Sequence, residues 1–117
     1  MRHRSTTKKF GRDKAHMSAL ERNLLTSLVL HEKMKTTQSK ARLVTKSFDK
    51  LVTRLKGRSA MVQIRLLKEV FYSDIPGKKM LEVILKRLDD RTSGYTRTTR
   101  LMPRKGDNAS MTLIEIL

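Results

Sequence analysis

The chain contains no cysteine or tryptophan, and its aromatic residues are few: three phenylalanines and two tyrosines. The absence of cysteine excludes disulfides, cysteine-ligated zinc and thiol catalysis. Apolar runs reach only three residues, as at residues 28–30, which is too short to span a bilayer. The first ten residues lack the apolar core of a signal peptide. These absences predict an intracellular protein with no membrane partner.

Acidic residues are also scarce, so positive charge dominates the composition. The 117 residues include 27 Lys+Arg and 11 Asp+Glu, for a formal net charge of +16. Self-repulsion at this charge destabilises a compact state, so the excess indicates a polyanionic partner rather than a need of folding. The length suits one domain, and an apolar content of 38% with helical periodicity argues against a disordered chain. The composition therefore predicts a folded, basic, nucleic-acid-binding protein.

The amino-terminal segment carries one concentration of this charge. Its basic residues are Arg2, Arg4, Lys8, Lys9, Arg12 and Lys14. Phe10 and Met17 are its only large apolar residues, so the segment buries too little surface to offset its ordering entropy. We therefore predict an arm at residues 1–17 that becomes ordered on a nucleic acid, followed by a single globular domain at residues 18–117.

Residues 18–32 have the pattern of an amphipathic helix. Ser18 and Glu21 have the spacing of a capping box, which predicts that the helix begins at Ser18. The apolar stripe consists of Leu20, Leu24, Leu25, Leu28 and Val29. Arg22, Asn23 and His31 lie largely off this stripe and are free to face a partner.

Three more helices are predicted from the same periodicity. The second spans residues 38–56, and its inward stripe is Ala41, Val44, Phe48, Leu51, Val52 and Leu55. The third follows Ser59 and points inward with Met61, Ile64, Leu67 and Phe71. Residues 74–77 (DIPG) are expected to break it. The fourth spans residues 78–88 and buries Leu81, Ile84, Leu85 and Leu88. We interpret the scattered lysines of the second and fourth helices as a solvated face.

After residue 94 the pattern changes to the alternation typical of strands. Residues 95–102 and 110–117 are predicted strands, joined by a basic loop at residues 103–108. A short strand at residues 33–36 can pair with this hairpin. The predicted fold class is α+β, a two-layer α/β arrangement with about four helices packed on one face of a small sheet.

The strand and loop carry the second concentration of charge, formed by Arg97, Arg100, Arg104 and Lys105. In a strand, Tyr95 and Arg97 share a face. If that face meets RNA, Tyr95 can stack on a base or sugar while Arg97 binds a phosphate. The alternative is that Tyr95 packs against the helix layer.

The sequence offers no pattern of a catalytic or metal site. His3 lies in the arm, whereas His16 and His31 lie about 22 Å apart along one helix, at about 1.5 Å per residue. No histidine pair has metal-ligand spacing, and neither a Gly-rich phosphate loop nor a GxSxG turn occurs. We therefore predict no enzyme activity, no cofactor and no bound metal.

Short motifs are distributed along the whole chain. The amino-terminal ones are MRHR at residues 1–4, Gly11-Arg12, His16, Ala19-Leu20, Arg22-Asn23-Leu24, His31-Glu32 and Thr36-Thr37-x-x-Lys40-Ala41. Further along are Leu51-Val52-Thr53, Arg91, Gly94-Tyr95-Thr96-Arg97, Arg104, Gly106-Asp107, Ala109, Met111 and Ile114-Glu115. In order and spacing they closely resemble the bacterial large-subunit ribosomal protein L-seventeen family. The chain departs from that pattern at Met17, Gln63, Lys86 and Ser93.

The resemblance implies a structural protein of the large ribosomal subunit with a two-layer α/β fold. Its implied partners are large-subunit rRNA and neighbouring ribosomal proteins, with no small-molecule substrate and no catalytic role. RNA contacts are implied at the further motif positions His3, His16, Thr36, Thr37 and Lys40. The implied location is a ribosome, cytoplasmic or organellar. The residues alone leave open a free DNA-architectural or nucleic-acid-coating protein, which would carry similar charge.

Overall fold

The computed structural model describes residues 3–4 and 8–117, so Arg2 of the predicted arm lies outside the described residues. Four helices pack on one side of a three-stranded antiparallel sheet, which confirms the predicted fold class. The first elements are helix α1 (Lys14–His31), strand β1 (Lys33–Thr37) and helix α2 (Gln38–Leu55). Helix α3 (Ala60–Val70), a fourth helical segment, and strands β2 (Thr96–Arg100) and β3 (Met111–Ile116) follow.

Helix α1 begins earlier than its sequence predicts. Its N-cap is Asp13, whose carboxylate accepts the backbone N–H of His16 at 2.9 Å, so the predicted start at Ser18 is wrong. The supposed capping carboxylate of Glu21 instead accepts a hydrogen bond from the Ser47 hydroxyl of α2. Because the Asp13 carboxylate accepts one of the backbone N–H groups that lack an intrahelical acceptor, the helix is capped at Asp13, and Ser18 and Glu21 lie within it. Three residues of the predicted stripe are buried, namely Leu25, Leu28 and Val29.

Helix α2 forms the centre of the helix layer. All six residues of its predicted stripe are buried, from Ala41 to Leu55. They pack with the buried residues of α1 and with Ile114 and Ile116 of the sheet in one core. The periodicity of this helix is therefore confirmed along its full length.

Helix α3 departs from its prediction. Leu67 and, just after the helix, Phe71 are buried as expected. Met61 and Ile64 were also predicted to point inward, but their side chains are 64% and 43% exposed, so that prediction is wrong. The helix meets the core only through its carboxyl-terminal part, beside the fourth helical segment. The spacing of apolar residues identifies one face of the helix, but it does not show whether another element packs against that face.

The fourth helical segment, here called α4, consists of Asp74–Lys79, a π-helical stretch Met80–Ile84, and Leu85–Arg87. The third helix ends before residues 74–77, as predicted, but the fourth begins at Asp74 rather than at residue 78, and Pro76 lies in its first turn. The amides of a first turn have no intrahelical acceptor, so proline is tolerated there. Met80, Ile84 and Leu88 are buried, and Leu81 and Leu85 pack half-buried against the core.

The strand order is β1-β3-β2, which confirms that the short first strand pairs with the predicted hairpin. Across the β2–β3 pair, Thr98 lies opposite Ile114 and Arg97 lies opposite Glu115. Since opposed residues of antiparallel strands share a face, Thr98 is on the helix side with buried Ile114. Arg97 is on the other, open side of the sheet. None of the helices within residues 3–4 and 8–117 is long and apolar enough to cross a membrane.

Candidate nucleic-acid interface

A basic groove runs between the outer side of α2 and strand β2. We define this basic groove by its lining residues Gln38, Ala41, Arg42, Thr45, Lys46, Thr98, Arg100 and Thr112. Arg42 and Lys46 are four residues apart and so lie on one side of α2, away from buried Val44 and Phe48. Arg100 comes from β2, where it pairs in register with Thr112. Three cations from two elements therefore converge on a groove whose lining contains no carboxylate.

Two buried hydroxyl groups lie behind the lining of the basic groove. The hydroxyl oxygens of Thr45 and Thr112 are buried and have no hydrogen-bond partner among the described residues. A buried hydroxyl without a partner costs roughly 1–3 kcal/mol, so two of them in one wall are unfavourable in the free protein.

The described part of the arm extends the basic groove along α2. Lys8, Phe10, Ser39 and Lys50 line an adjoining groove, to which Arg42 and Lys46 also belong. The Lys8 ammonium lies 3.5 Å from the Ser39 hydroxyl. At the other end, the lining continues from Arg100 to Leu101, Pro103 and Ser110 at the base of the β2–β3 loop. These grooves share lining residues and form one predominantly basic surface from the arm to the hairpin, in which Glu21 is the only carboxylate of the lining.

The remaining predicted arm residues are mostly solvent-exposed. His3, Arg4, Lys8, Lys9, Lys14 and His16 are exposed. Arg12 is half-buried, and its guanidinium donates to the Phe10 carbonyl at 2.8 Å. The arm cations are thus accessible to a partner, and their role in RNA binding stays a prediction.

The predicted residues of α1, β1 and the start of α2 do not form one cluster. The Arg22 guanidinium lies 5.2 Å from the centre of the Tyr72 ring, on the α3 side of the molecule. Asn23 and His31 are exposed on α1, whereas Thr36, Thr37 and Lys40 are half-buried. The structure therefore does not bring these side chains together with the basic groove, and their RNA contacts stay predictions.

Tyr95 is placed where it cannot stack on a base. Its side chain is 2% exposed, and its hydroxyl donates to the Thr92 carbonyl at 2.9 Å. The Lys56 ammonium lies 5.0 Å from the ring centre. The prediction that Tyr95 forms an RNA-stacking face with Arg97 is wrong, and the packing alternative holds. Tyr95 precedes β2, so the alternation of side chains along the strand does not fix which side its ring takes. Burial of a large aromatic ring in the core is strongly favourable.

The other basic residues of the hairpin are exposed but separated. Arg97 projects from the open face of the sheet, whereas Arg100 lines the basic groove. Arg104 forms a two-point ion pair with Asp107, at 2.9 and 2.5 Å, which lowers the pKa of the Asp107 carboxyl to about 2. Because Asp107 neutralises Arg104 locally, Lys105 carries the net positive charge of the loop tip.

Sequence reasoning missed the centre of the site. Lys46 was assigned, with the other lysines of α2, to a solvated face, and Gln38, Arg42, Thr98 and Thr112 were not predicted as site residues. A signal was available, because Arg42, Lys46 and Lys50 recur every four residues opposite the apolar stripe of α2. Their convergence with Arg100 depends on the packing of the sheet against α2. Among residues 3–4 and 8–117, no group of His, Asp and Glu side chains could hold a metal ion.

Comparisons with known proteins show the family to which the sequence is similar. The sequence model of the family described as Ribosomal protein L17 matches residues 17–117. The chain is 36% identical to Large ribosomal subunit protein bL17 of Syntrophotalea carbinolica over 117 residues, all of this chain and 75% of that protein. It is 37% identical to the bL17 protein of Chloroflexus aggregans over 117 residues, the full length of both chains. Identity to the bL17m protein of Schizosaccharomyces pombe is 40% over 112 residues, 94% of this chain and 54% of that one. The chain belongs to the ribosomal protein L17 family.

Proposed function

We propose that this protein is a structural constituent of the large ribosomal subunit and binds large-subunit rRNA through the basic groove. Relatives that match the whole chain are named large ribosomal subunit proteins. The observation that carries the proposal is the convergence of Arg42, Lys46 and Arg100 on a groove lined by no carboxylate. The proposed role is one of binding and positioning, without catalysis.

Phosphate groups are the ligands that this groove suits best. The planar guanidinium groups of Arg42 and Arg100 can each donate two parallel hydrogen bonds to a phosphate, while Lys46 adds a point charge. The groove lies between a helix and a strand, so it can follow a sugar–phosphate backbone rather than enclose a small anion. With Tyr95 buried, recognition depends on phosphates, 2′-hydroxyls and the shape of the RNA more than on base stacking.

The arm is proposed to close over the same RNA backbone. We retain its predicted extent, residues 1–17, although residues 14–17 form the first turn of α1. Lys8 and Phe10 already lie along α2 beside Arg42. RNA bound in the basic groove would therefore meet the arm cations on one side and the hairpin on the other. The relatives include bacterial proteins and a fission-yeast bL17m protein, so the proposed ribosome is bacterial or organellar.

The proposal is tested by removing two charges from the basic groove and, separately, two from elsewhere. The double variant Arg42→Gln with Lys46→Gln should bind isolated large-subunit rRNA more weakly, measured across a salt series. The slope of log affinity against log salt should become shallower by about 0.7–0.9 for each phosphate that the protein no longer neutralises. The matched control carries Arg65→Gln and Lys86→Gln, two exposed residues of α3 and α4 that lie outside the groove.

Both double variants lose the same formal charge, so a difference between them reports position. Equal salt slopes for the two would show that binding follows net charge alone and would remove the groove from the proposal. Sedimentation of the unaltered protein tests the cellular role. It should travel with large subunits through moderate salt washes, whereas a free DNA-coating protein would bind duplex DNA as tightly as rRNA and stay off the subunit.

A further inference from the structure

Residues 8–13 of the predicted arm contain a tight turn. The Arg12 N–H donates to the Lys9 carbonyl at 3.0 Å, which closes a four-residue turn around Phe10 and Gly11. Both central residues have positive φ angles, 52° at Phe10 and 64° at Gly11, as in a type I′ turn. Glycine adopts this backbone freely, whereas a phenylalanine there is strained. The turn therefore depends on contacts that hold Phe10 in place.

Phe10 is held through its carbonyl group and through its ring. The Arg12 guanidinium donates to the Phe10 carbonyl at 2.8 Å, and Arg12 is itself half-buried. The half-buried Phe10 side chain lines a groove together with Met17 of α1 and Leu43 of α2. Because half-burial removes part of a large apolar ring from water, it favours this position over an arm that extends into solvent.

The Phe10 contact is separate from the main core. Phe10, Met17 and Leu43 belong neither to the core cluster nor to the partly buried residues packed against it. Asp13 caps α1 directly after Arg12, so the turn leads straight into the first helix. A substitution at Phe10 should therefore release the turn without unfolding the domain.

The arm lies on a surface that carries charge of its own sign. The Lys8 ammonium is 3.5 Å from the Ser39 hydroxyl, and Glu21 is the only acidic residue in the lining of the groove beside it. The other cations of that groove are Arg42, Lys46 and Lys50. Like charges repel, so electrostatics alone would move the arm away from α2 when no RNA is bound. The contacts of Phe10 oppose this repulsion.

We propose that Phe10 is a positioning residue, which anchors the arm on α2 before RNA binds. Phe10 carries no charge and acts through Lys8 and Lys9, which it keeps beside the cations of the basic groove. An arm already in place loses less conformational entropy when RNA binds, so the affinity for RNA is higher. The inference rests on the proposed function, because it gives Phe10 a part in rRNA binding through the basic groove.

Limited proteolysis of the free protein tests the anchor itself. Trypsin cleaves after Lys9 and Arg12 in the turn and after Lys105 in the exposed β2–β3 loop, which is the control within the same molecule. Cleavage follows the population of the open arm, so Phe10→Ala should raise the rates at Lys9 and Arg12 about tenfold. The rate at Lys105 should not change. Phe10→Leu keeps an apolar side chain and should restore most of the protection.

Binding to isolated large-subunit rRNA across a salt series tests the consequence. Phe10→Ala should lower the affinity by about three- to tenfold, because the arm is in position for a smaller fraction of the time. The slope of log affinity against log salt should stay the same, since no charge is lost. The matched variant, Lys8→Gln with Lys9→Gln, keeps Phe10 and removes charge. Its slope should become shallower by about 0.7–0.9 for each phosphate that it no longer neutralises.

These measurements separate an anchor from a direct contact and from a tail without a role. Equal tryptic rates at Lys9 and Arg12 in Phe10→Ala and the unaltered protein would overturn the anchor, as would unchanged affinity of Phe10→Ala for rRNA. Weaker binding without faster cleavage would also overturn it, because the ring would then contact RNA directly. In each case a shallower slope for the Arg42 and Lys46 double variant leaves the proposed function intact. If the unaltered protein does not bind rRNA, the proposed function is overturned, and the tryptic rates still decide whether Phe10 anchors the arm.

Discussion

Helices α2 and α3 have similar apolar spacing but opposite surroundings. Six residues of α2 are buried, and its outer side presents Arg42 and Lys46 to the basic groove. Helix α3 buries only Leu67, and its outer side is apolar and nearly neutral. The difference follows from position, because α2 packs against α1 and all three strands, whereas α3 meets the core at one end. The same apolar periodicity therefore leads to full burial of the stripe in a central helix and to partial burial in a peripheral one.

The exposed surfaces of α2 and α3 also differ in their chemistry. A surface of converging cations without carboxylates favours a polyanion, because each phosphate contact releases counterions. Exposed apolar side chains, as on α3, offer no such contact to a phosphate group. Helix α2 thus presents converging cations, whereas α3 presents exposed apolar side chains. Three predictions test this difference, beginning with the largest expected effect.

The largest difference between α2 and α3 should appear in stability. Phe48 of α2 is fully buried, so Phe48→Ala should reduce the free energy of unfolding by roughly 3–5 kcal/mol. Met61 of α3 is 64% exposed, so Met61→Ala should change it by about 0.5 kcal/mol or less. Chemical denaturation of the free protein measures both. A comparable loss for Met61→Ala would show that α3 is covered in solution.

Substitutions of Lys50 in α2 and of Lys56 just after it should affect RNA binding and stability, respectively. The Lys56 ammonium donates to the Leu88, Asp89 and Arg91 carbonyls, at 2.6 and 3.2 Å for the first two. Lys56→Met leaves these carbonyls without that donor and should reduce the free energy of unfolding by about 1–3 kcal/mol. The affinity for rRNA at low temperature should be unchanged.

Lys50→Met is the matched variant, because Lys50 is exposed beside the basic groove. It should leave the free energy of unfolding within about 0.5 kcal/mol and make the salt slope for rRNA shallower by about 0.7–0.9. Thermal melting and a salt series on both variants provide the measurement. A weaker affinity for rRNA in folded Lys56→Met would instead place the RNA near the end of α4.

The smallest effect concerns the ion pairs that connect α4 to the end of α1. Arg87 and Lys79 contact the Glu32 carboxylate at 2.8 and 3.0 Å and lower its pKa below the ordinary value of 4.5. The stabilisation is therefore present above pH 4.5 and disappears as the pH falls through the lowered pKa. Glu32→Gln should reduce stability slightly at pH 7 and flatten its decline at acidic pH.

Asp49 provides the control of opposite sign for that titration. Burial raises the pKa of its carboxyl, so the folded protein binds this proton more readily than the unfolded chain does. Acidification through the raised pKa therefore adds stability, and Asp49→Asn should make the acid decline steeper. The free energy of unfolding of each variant is measured between about pH 3 and 7, where carboxyl groups titrate. If both variants show the same pH dependence as the unaltered protein, both assignments are contradicted.

The sequence by itself determined the features that depend on local pattern and total charge. The stripe of α2 was predicted completely, because its six apolar positions repeat along a central helix. The two strands of the hairpin were predicted from alternation, and a short strand at residues 33–36 was predicted to pair with them, as it does. The net charge of +16 predicted a polyanionic partner without any knowledge of the fold. Local periodicity and net charge are properties of the sequence and do not depend on how the elements pack.

Only the tertiary structure decided which side chains are buried and which converge on one surface. Arg42 and Arg100 are distant in sequence and meet only because the sheet packs against α2. Tyr95 is buried because Lys56 and Thr92 surround it, although its place before a strand suggested an exposed face. Met61 and Ile64 are exposed because no described element covers the first part of α3. Burial and convergence depend on contacts between distant segments, which the period of a single helix or strand does not encode.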